Sequence, residues 1–134
     1  MALIRAINLR YWDKRLDRFQ SLVFSGYKNG LSVFDSECAI ERSENYCSHL
    51  RRFYGSVAGS PPCYWVIPDG AIPDHCGFKW TLSDKGDDCH GEITGLTKAD
   101  IAALTKRLDP TGCTVCLEIE GARPLTRADL LHTL

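Results

Sequence analysis

The segment CHGEITGLTKADI, residues 89–101, places an imidazole two residues from a carboxylate. Side chains alternate along an extended chain, so His90, Glu92 and Thr94 share one face of a strand and Cys89, Gly91 and Ile93 the other. A histidine beside a carboxylate is suited to general acid–base chemistry. The segment CTVCLEI, residues 113–119, is built the same way. Val115, Leu117 and Ile119 point to one side, Cys116 and Glu118 to the other. If the two segments are neighbouring strands, His90, Glu92, Cys116 and Glu118 meet on one face. Two carboxylates held close together raise one pKa, and the same side-chain types hold zinc. The competing expectation is a polar face open to solvent.

Arg5 lies mid-strand among Leu3, Ile4, Ala6 and Ile7. A guanidinium there needs a partner, because an unpaired buried charge is costly. It either forms an ion pair with Asp35, Glu92 or Glu118, or holds the phosphate or carboxylate of a ligand. Arg5 on an early strand, Ser32 (or Ser21) on a later one and Glu92 on one later still stand in an order that resembles the Arg-Ser-Glu group of the ADP-ribosyltransferases. The resemblance implies an arginine on the phosphate side of a nicotinamide dinucleotide, a serine supporting the pocket and a glutamate stabilising an oxocarbenium-like state. The chain departs from that pattern. It has no serine-threonine-serine strand and no glutamate-x-glutamate turn, and His90 stands where the first acid of that turn would be. The catalytic candidates are Arg5, His90 and Glu92; the ligand-binding candidates are Arg5, Ser32 and Glu118.

Other motifs add little. There is no GxGxxG or GxxxxGK[ST] phosphate loop, and neither Ser25 nor Ser60 sits in a G-x-S-x-G elbow. Cys113 and Cys116 form a CxxC on a predicted strand, where residues three apart face opposite ways, whereas redox CxxC pairs sit at a helix start. His75-Cys76 and Cys89-His90 are adjacent pairs, which diverge in an extended chain. No metal ligands are assigned and no cofactor is expected, although zinc or a nucleotide would suit the His90 face.

The elements that must position these residues follow from periodicity. Residues 2–7 read as a central strand, apolar on both faces. Residues 19–24 and 31–35 read as an N-terminal hairpin with Asn29-Gly30 at its turn. Tyr46, Cys47, Leu50, Phe53 and Tyr54 form one helical face, predicting a helix over 43–54 with Ser43 as N-cap and Gly55 as its stop. Strands follow at 63–67, 78–82, 89–94 and 113–119. Thr97-x-x-Asp100 opens a helix carrying Ile101, Leu104 and Leu108, and Thr126-x-x-Asp129 opens a short terminal one. The frame E-I-x-G followed by L-T-basic-A-D-aliphatic occurs in both places, so strand, tight turn and capped helix are specified twice. The first strand–helix–strand predicts a βαβ unit with parallel strands. The expected fold is α+β: a single domain over residues 1–134 with a mixed sheet, an N-terminal hairpin and a C-terminal βαβ(α) unit.

Composition narrows the class. With 16 basic against 17 acidic residues the net charge is −1, which disfavours sequence-independent nucleic-acid binding. Arg5, Arg10, Lys14, Arg15 and Arg18 cluster near the start, but Asp13 and Asp17 offset them. No apolar run approaches the ~18 residues of a membrane span. Arg5 interrupts the first apolar stretch, so no export signal is expected. Seven cysteines, an odd and scattered set, then read as reduced thiols of a cytoplasmic protein. Tyr54, Tyr64, Trp65, Phe78 and Trp80 are expected mainly in the core, with any left exposed supplying a protein-binding patch. The primary functional expectation is a small cytoplasmic binding or regulatory protein acting through a protein partner. The alternative is a small transferase or hydrolase for a nucleotide-type ligand, using Arg5, His90 and Glu92.

Overall fold

The computed structural model describes residues 2–54, 61–117 and 121–131. In chain order the elements are β1 (Leu3–Ala6), β2 (Trp12–Asp13), β3 (Arg18–Phe19), β4 (Leu31–Asp35), α1 (Ser36–Arg42), α2 (Tyr46–Phe53), β5 (Cys63–Val66), β6 (Gly77–Trp80), β7 (His90–Thr94), α3 (Lys98–Arg107), β8 (Cys113–Cys116), β9 (Ala122–Pro124) and α4 (Arg127–Leu131). Seven strands form one sheet in the order β6-β7-β4-β1-β5-β8-β9, while β2 and β3 form a separate two-stranded hairpin. The chain is an α+β domain built around this sheet.

Both faces of the sheet are covered, as an apolar strand such as β1 requires. One side carries the larger core: Leu31, Val33, Trp65, Ile93 and Val115 pack against Val23, Phe24, Ile101, Leu104, Leu108 and Leu130. The other side packs Ile4, Phe34 and Cys116 against Ala39, Cys47 and Leu50 of α1 and α2. Two disulfides, Cys38–Cys89 and Cys47–Cys116, tie these helices to the sheet. Four of the seven cysteines are therefore not thiols, which corrects the reading of a fully reduced set; Cys63, Cys76 and Cys113 are free.

Helix boundaries follow their caps. Asp35 closes β4 and accepts from the Cys38 amide at 3.0 Å, starting α1, a helix the periodicity did not predict. Ser43 is the C-cap of α1, and the N-cap of α2 is Asn45, which accepts from the Ser48 amide at 2.8 Å. Gly55, the expected stop, lies outside the described residues. The Thr97/Asp100 and Thr126/Asp129 pairs each bond reciprocally at the starts of α3 and α4.

Two expectations of topology are corrected. Residues 21–24 form a 3-10 turn rather than a strand, so the N-terminal hairpin is β2–β3 and not 19–24 with 31–35. Every strand pairing in the large sheet is antiparallel. β7 and β8 do run the same way on either side of α3, but β4, β1 and β5 stand between them. The local pattern specified strand, helix and strand; the sheet was then closed by non-local pairings that leave no periodic trace.

Candidate functional site

β4 and β7 are neighbours, with Ser32 opposite Glu92 and Phe34 opposite His90. Ser32, His90 and Glu92 therefore share one face, the side of α1 and α2, while Ile93 packs on the other against α3. This face is not simply open to water: His90 is only 7% exposed. The tip of α2 and the loop after β6 wall off a cleft of about 410 Å³, lined by Ser32, Phe53, Tyr54, Leu82, Lys85, His90 and Glu92, among others.

The histidine is held at both nitrogens. Nδ1 lies 2.7 Å from the Thr81 carbonyl oxygen. A carbonyl only accepts, so Nδ1 carries a proton and donates it. In the neutral ring Nε2 is then the bare nitrogen. It lies 2.6 Å from the Ser32 hydroxyl, which donates to it. The Thr81 hydroxyl lies 3.0 Å from Nδ1 and donates to Glu92 Oε1 at 3.3 Å. The sequence of contacts is serine, imidazole, threonine, carboxylate.

Arg5 stands outside the cleft. Nη1 donates to the Ser32 carbonyl at 2.7 Å and Nη2 to the Val23 carbonyl at 2.8 Å. The Nε hydrogen is buried with no acceptor among the described residues. The expected ion pair with Asp35 or Glu92 is replaced by two backbone carbonyls. Burial lowers the Arg5 pKa to about 10, which leaves it a cation at neutral pH. Its role is to fix the Ser32 backbone from behind.

The proposed cluster of His90 and Glu92 with Cys116 does not form. Cys116 lies on β8, far along the sheet, and is bonded to Cys47. Glu118 lies outside the described residues. Cys113 and Cys116 do face opposite cores, as residues three apart on a strand must.

Sequence reasoning missed the residues that finish the site. Tyr54 donates to the buried Asp87 carboxylate at 3.0 Å, and burial together with that charge raises its phenol pKa, so it stays protonated. Asp87 also accepts from His49 at 2.9 Å and from the Cys89 amide at 2.9 Å, locking the loop before β7 onto α2. Lys85 and Phe53 border both the main cleft and an adjoining one of about 620 Å³ that includes Arg42 and Arg52. Asp87 and Lys85 fall in a polar stretch that reads only as a turn.

Metal-ligand geometry near the site is pre-empted. Cys38 with Asp88 and Cys89, and His49 with Asp87 and Cys89, stand at ligand spacing, but each group uses a disulfide-bonded cysteine. A further cleft of about 560 Å³ between the β2–β3 hairpin and α3 has no serine–histidine pair among its lining residues. No known protein family matches this chain, and neither a curated protein nor a solved structure matches it.

Proposed function

We propose that the protein is a small hydrolase or transferase in which Ser32 is the nucleophile and His90 its general base. The observation that carries this reading is the 2.6 Å hydrogen bond from Ser32 to the bare Nε2 of His90, with the tautomer set by the Thr81 carbonyl. A nucleophile bonded to a base that a third group orients is the arrangement nucleophilic catalysis needs. His90 Nε2 takes the Ser32 proton as Oγ bonds to the electrophilic carbon of an ester or amide. The imidazolium that forms is stabilised by the Thr81 carbonyl and, through the Thr81 hydroxyl, by Glu92. It then returns the proton to the leaving group, and water or an acceptor alcohol releases the group from Ser32. The anion-holding role first assigned to Arg5 passes to Lys85 and Arg52, which border the joined clefts and would receive the phosphate of a nucleotide-type ligand.

A fluorophosphonate probe tests this reading. One adduct per chain is expected, mapped to Ser32 and absent both from Ser32→Ala, with the melting temperature nearly unchanged, and from His90→Gln under conditions where that variant remains folded. No adduct, or one on another residue, refutes it.

A second reading has its own support. Trp80 is 52% exposed and Leu82 is 70% exposed at the end of β6, the last strand of the sheet, whose outer backbone edge has no partner strand among the described residues. An exposed tryptophan beside an open sheet edge suits a protein partner that adds a strand. Trp65, the other tryptophan considered for this role, is core at 2% exposure. Under this reading Trp80→Ala abolishes a pull-down without changing stability. Loss of fold would remove the argument.

The bridges support a different compartment from the one first expected. No helix among the described residues is long and apolar enough to cross a membrane. Disulfides persist where the surroundings are oxidising, so Cys38–Cys89 and Cys47–Cys116 favour an oxidising compartment over the cytoplasm expected from a reduced set.

A further inference from the structure

We infer that His75, Cys76 and Asp100 form a binding site for a zinc-type divalent cation, separate from the Ser32 cleft and independent of its proposed chemistry. One ligand atom from each lies within 4.8 Å of the other two. Of the three clusters at this spacing among the described residues, it alone has its thiol free. Adjacent residues in an extended chain would diverge, but this stretch is not extended. The Cys76 amide donates to the Pro73 carbonyl at 3.0 Å, closing a turn that swings His75 and Cys76 to the same side. The turn rests on Gly95, whose φ of +88° brings the start of α3 beneath it; a Cβ there would stand 3.6 Å from both the Cys76 Cα and the His75 carbonyl.

The third ligand is oriented by the helix cap. Asp100 Oδ2 accepts from the Thr97 amide at 2.8 Å and from His75 Nε2 at 2.9 Å, while neither of these bonds uses Oδ1. A carboxylate steered by a neighbouring amide is the outer-shell support that metal ligands usually have. Thiolate, imidazole and carboxylate are the ligand types of zinc, at roughly 2.0–2.3 Å from the ion. Tetrahedral ligands at those lengths stand roughly 3.3–3.8 Å apart, so the thiol has to close in by at most about 1.5 Å while the His75–Asp100 pair, now 2.9 Å apart, opens slightly to admit the ion. On binding, the Cys76 thiol proton leaves to solvent, the Nε2 proton of His75 passes through solvent to Nδ1, and the cation takes the place of the hydrogen bond between His75 and Asp100. His75 is half exposed, giving the ion an entry path and leaving the fourth position to water.

The probe is cobalt(II), a spectroscopic stand-in for zinc, added to metal-free protein under non-reducing conditions so that both disulfides stay closed. One equivalent is expected to bind with a thiolate-to-cobalt charge-transfer band that zinc abolishes by displacement. Cys76→Ser should remove the band, and His75→Ala should weaken binding at least tenfold. Neither residue caps a helix, so both variants should fold, whereas Asp100 variants would also disturb α3. Absence of uptake, uptake without the band, or an undiminished band in Cys76→Ser overturns the inference.

Discussion

The carboxylate of Glu92 lies where a side chain on Gly30 would be. A Cβ at Gly30 would run into Glu92 Oε2 and come within 2.9 Å of the Glu92 Cβ. Gly30 also holds φ at +115°, a conformation other residues adopt at a cost of roughly 1–3 kcal/mol. The glycine that ends the turn before β4 thus leaves room for the acid that completes the Ser32–His90–Thr81 chain. Gly30→Ala is expected to destabilise the protein by about 2–4 kcal/mol, of which about 1 kcal/mol or more disappears in a Glu92→Ala background. Urea unfolding of the four proteins in a double-mutant cycle measures this. Additive effects would mean that the acid does not depend on the missing side chain.

Asp87 is a buried carboxylate with three donors: the His49 ring, the Tyr54 hydroxyl and the Cys89 amide. Removing one partner of a buried ionic cluster leaves the others without a mate, typically costing 3–5 kcal/mol. Asp87→Ala is expected to fall in that range by chemical denaturation. Because the same loop leads into β7, the variant should also lose fluorophosphonate labelling at Ser32 under conditions where it remains folded. A cost under about 1 kcal/mol would show that the cluster is not structural.

The disulfides join residues 51 and 69 positions apart. In the chain-entropy account each bridge of that span contributes roughly 4 kcal/mol by restricting the unfolded chain. Protein denatured without reductant should react with a maleimide at three cysteines, Cys63, Cys76 and Cys113, and at seven after reduction. Reduction should lower the urea midpoint substantially. Seven reactive thiols before reduction would return the chain to the reduced reading.

The sequence shows why some of this was legible and some was not. Alternation placed β1, β4, β5 and β7 within a residue or so of their ends, and Thr97 and Thr126 marked the starts of α3 and α4 because caps are local hydrogen bonds. Alternation also put His90 and Glu92 on one face. Which strand would lie beside them was another matter. Pairing with β4 rather than β8 is a non-local choice, and it brought Ser32 to His90 while leaving Cys116 elsewhere. Partners that are backbone carbonyls, such as those of Thr81 for His90 and of Ser32 and Val23 for Arg5, leave no mark on residue identity. Asp35 followed by Glu37 was an available signal for α1, hidden because Asp35 also ends a strand.

Tyr54 gives the site's surroundings a dependence on alkaline pH. Its folded-state pKa is raised above the ordinary phenol value of 10.0, first by burial and then by the charge and hydrogen bond of Asp87. A group raised in the folded state contributes its stability in full below the unfolded pKa and loses it as pH climbs toward the folded one. Tyr54→Phe removes one donor from Asp87 and should cost about 1.5–3 kcal/mol at neutral pH, the range for hydrogen bonds to charged groups. That gap between wild type and variant should stay level up to about pH 9.5 and narrow above pH 10, where the unfolded phenol ionises and the folded one does not. Arg5, lowered to about 10 by burial, titrates in the opposite sense, but it is present in both proteins and largely drops out of the difference. Urea midpoints from pH 7 to 11 decide the matter. A gap that stays constant through pH 11 would mean that the Tyr54 hydroxyl reaches water in the folded protein and is not held against Asp87.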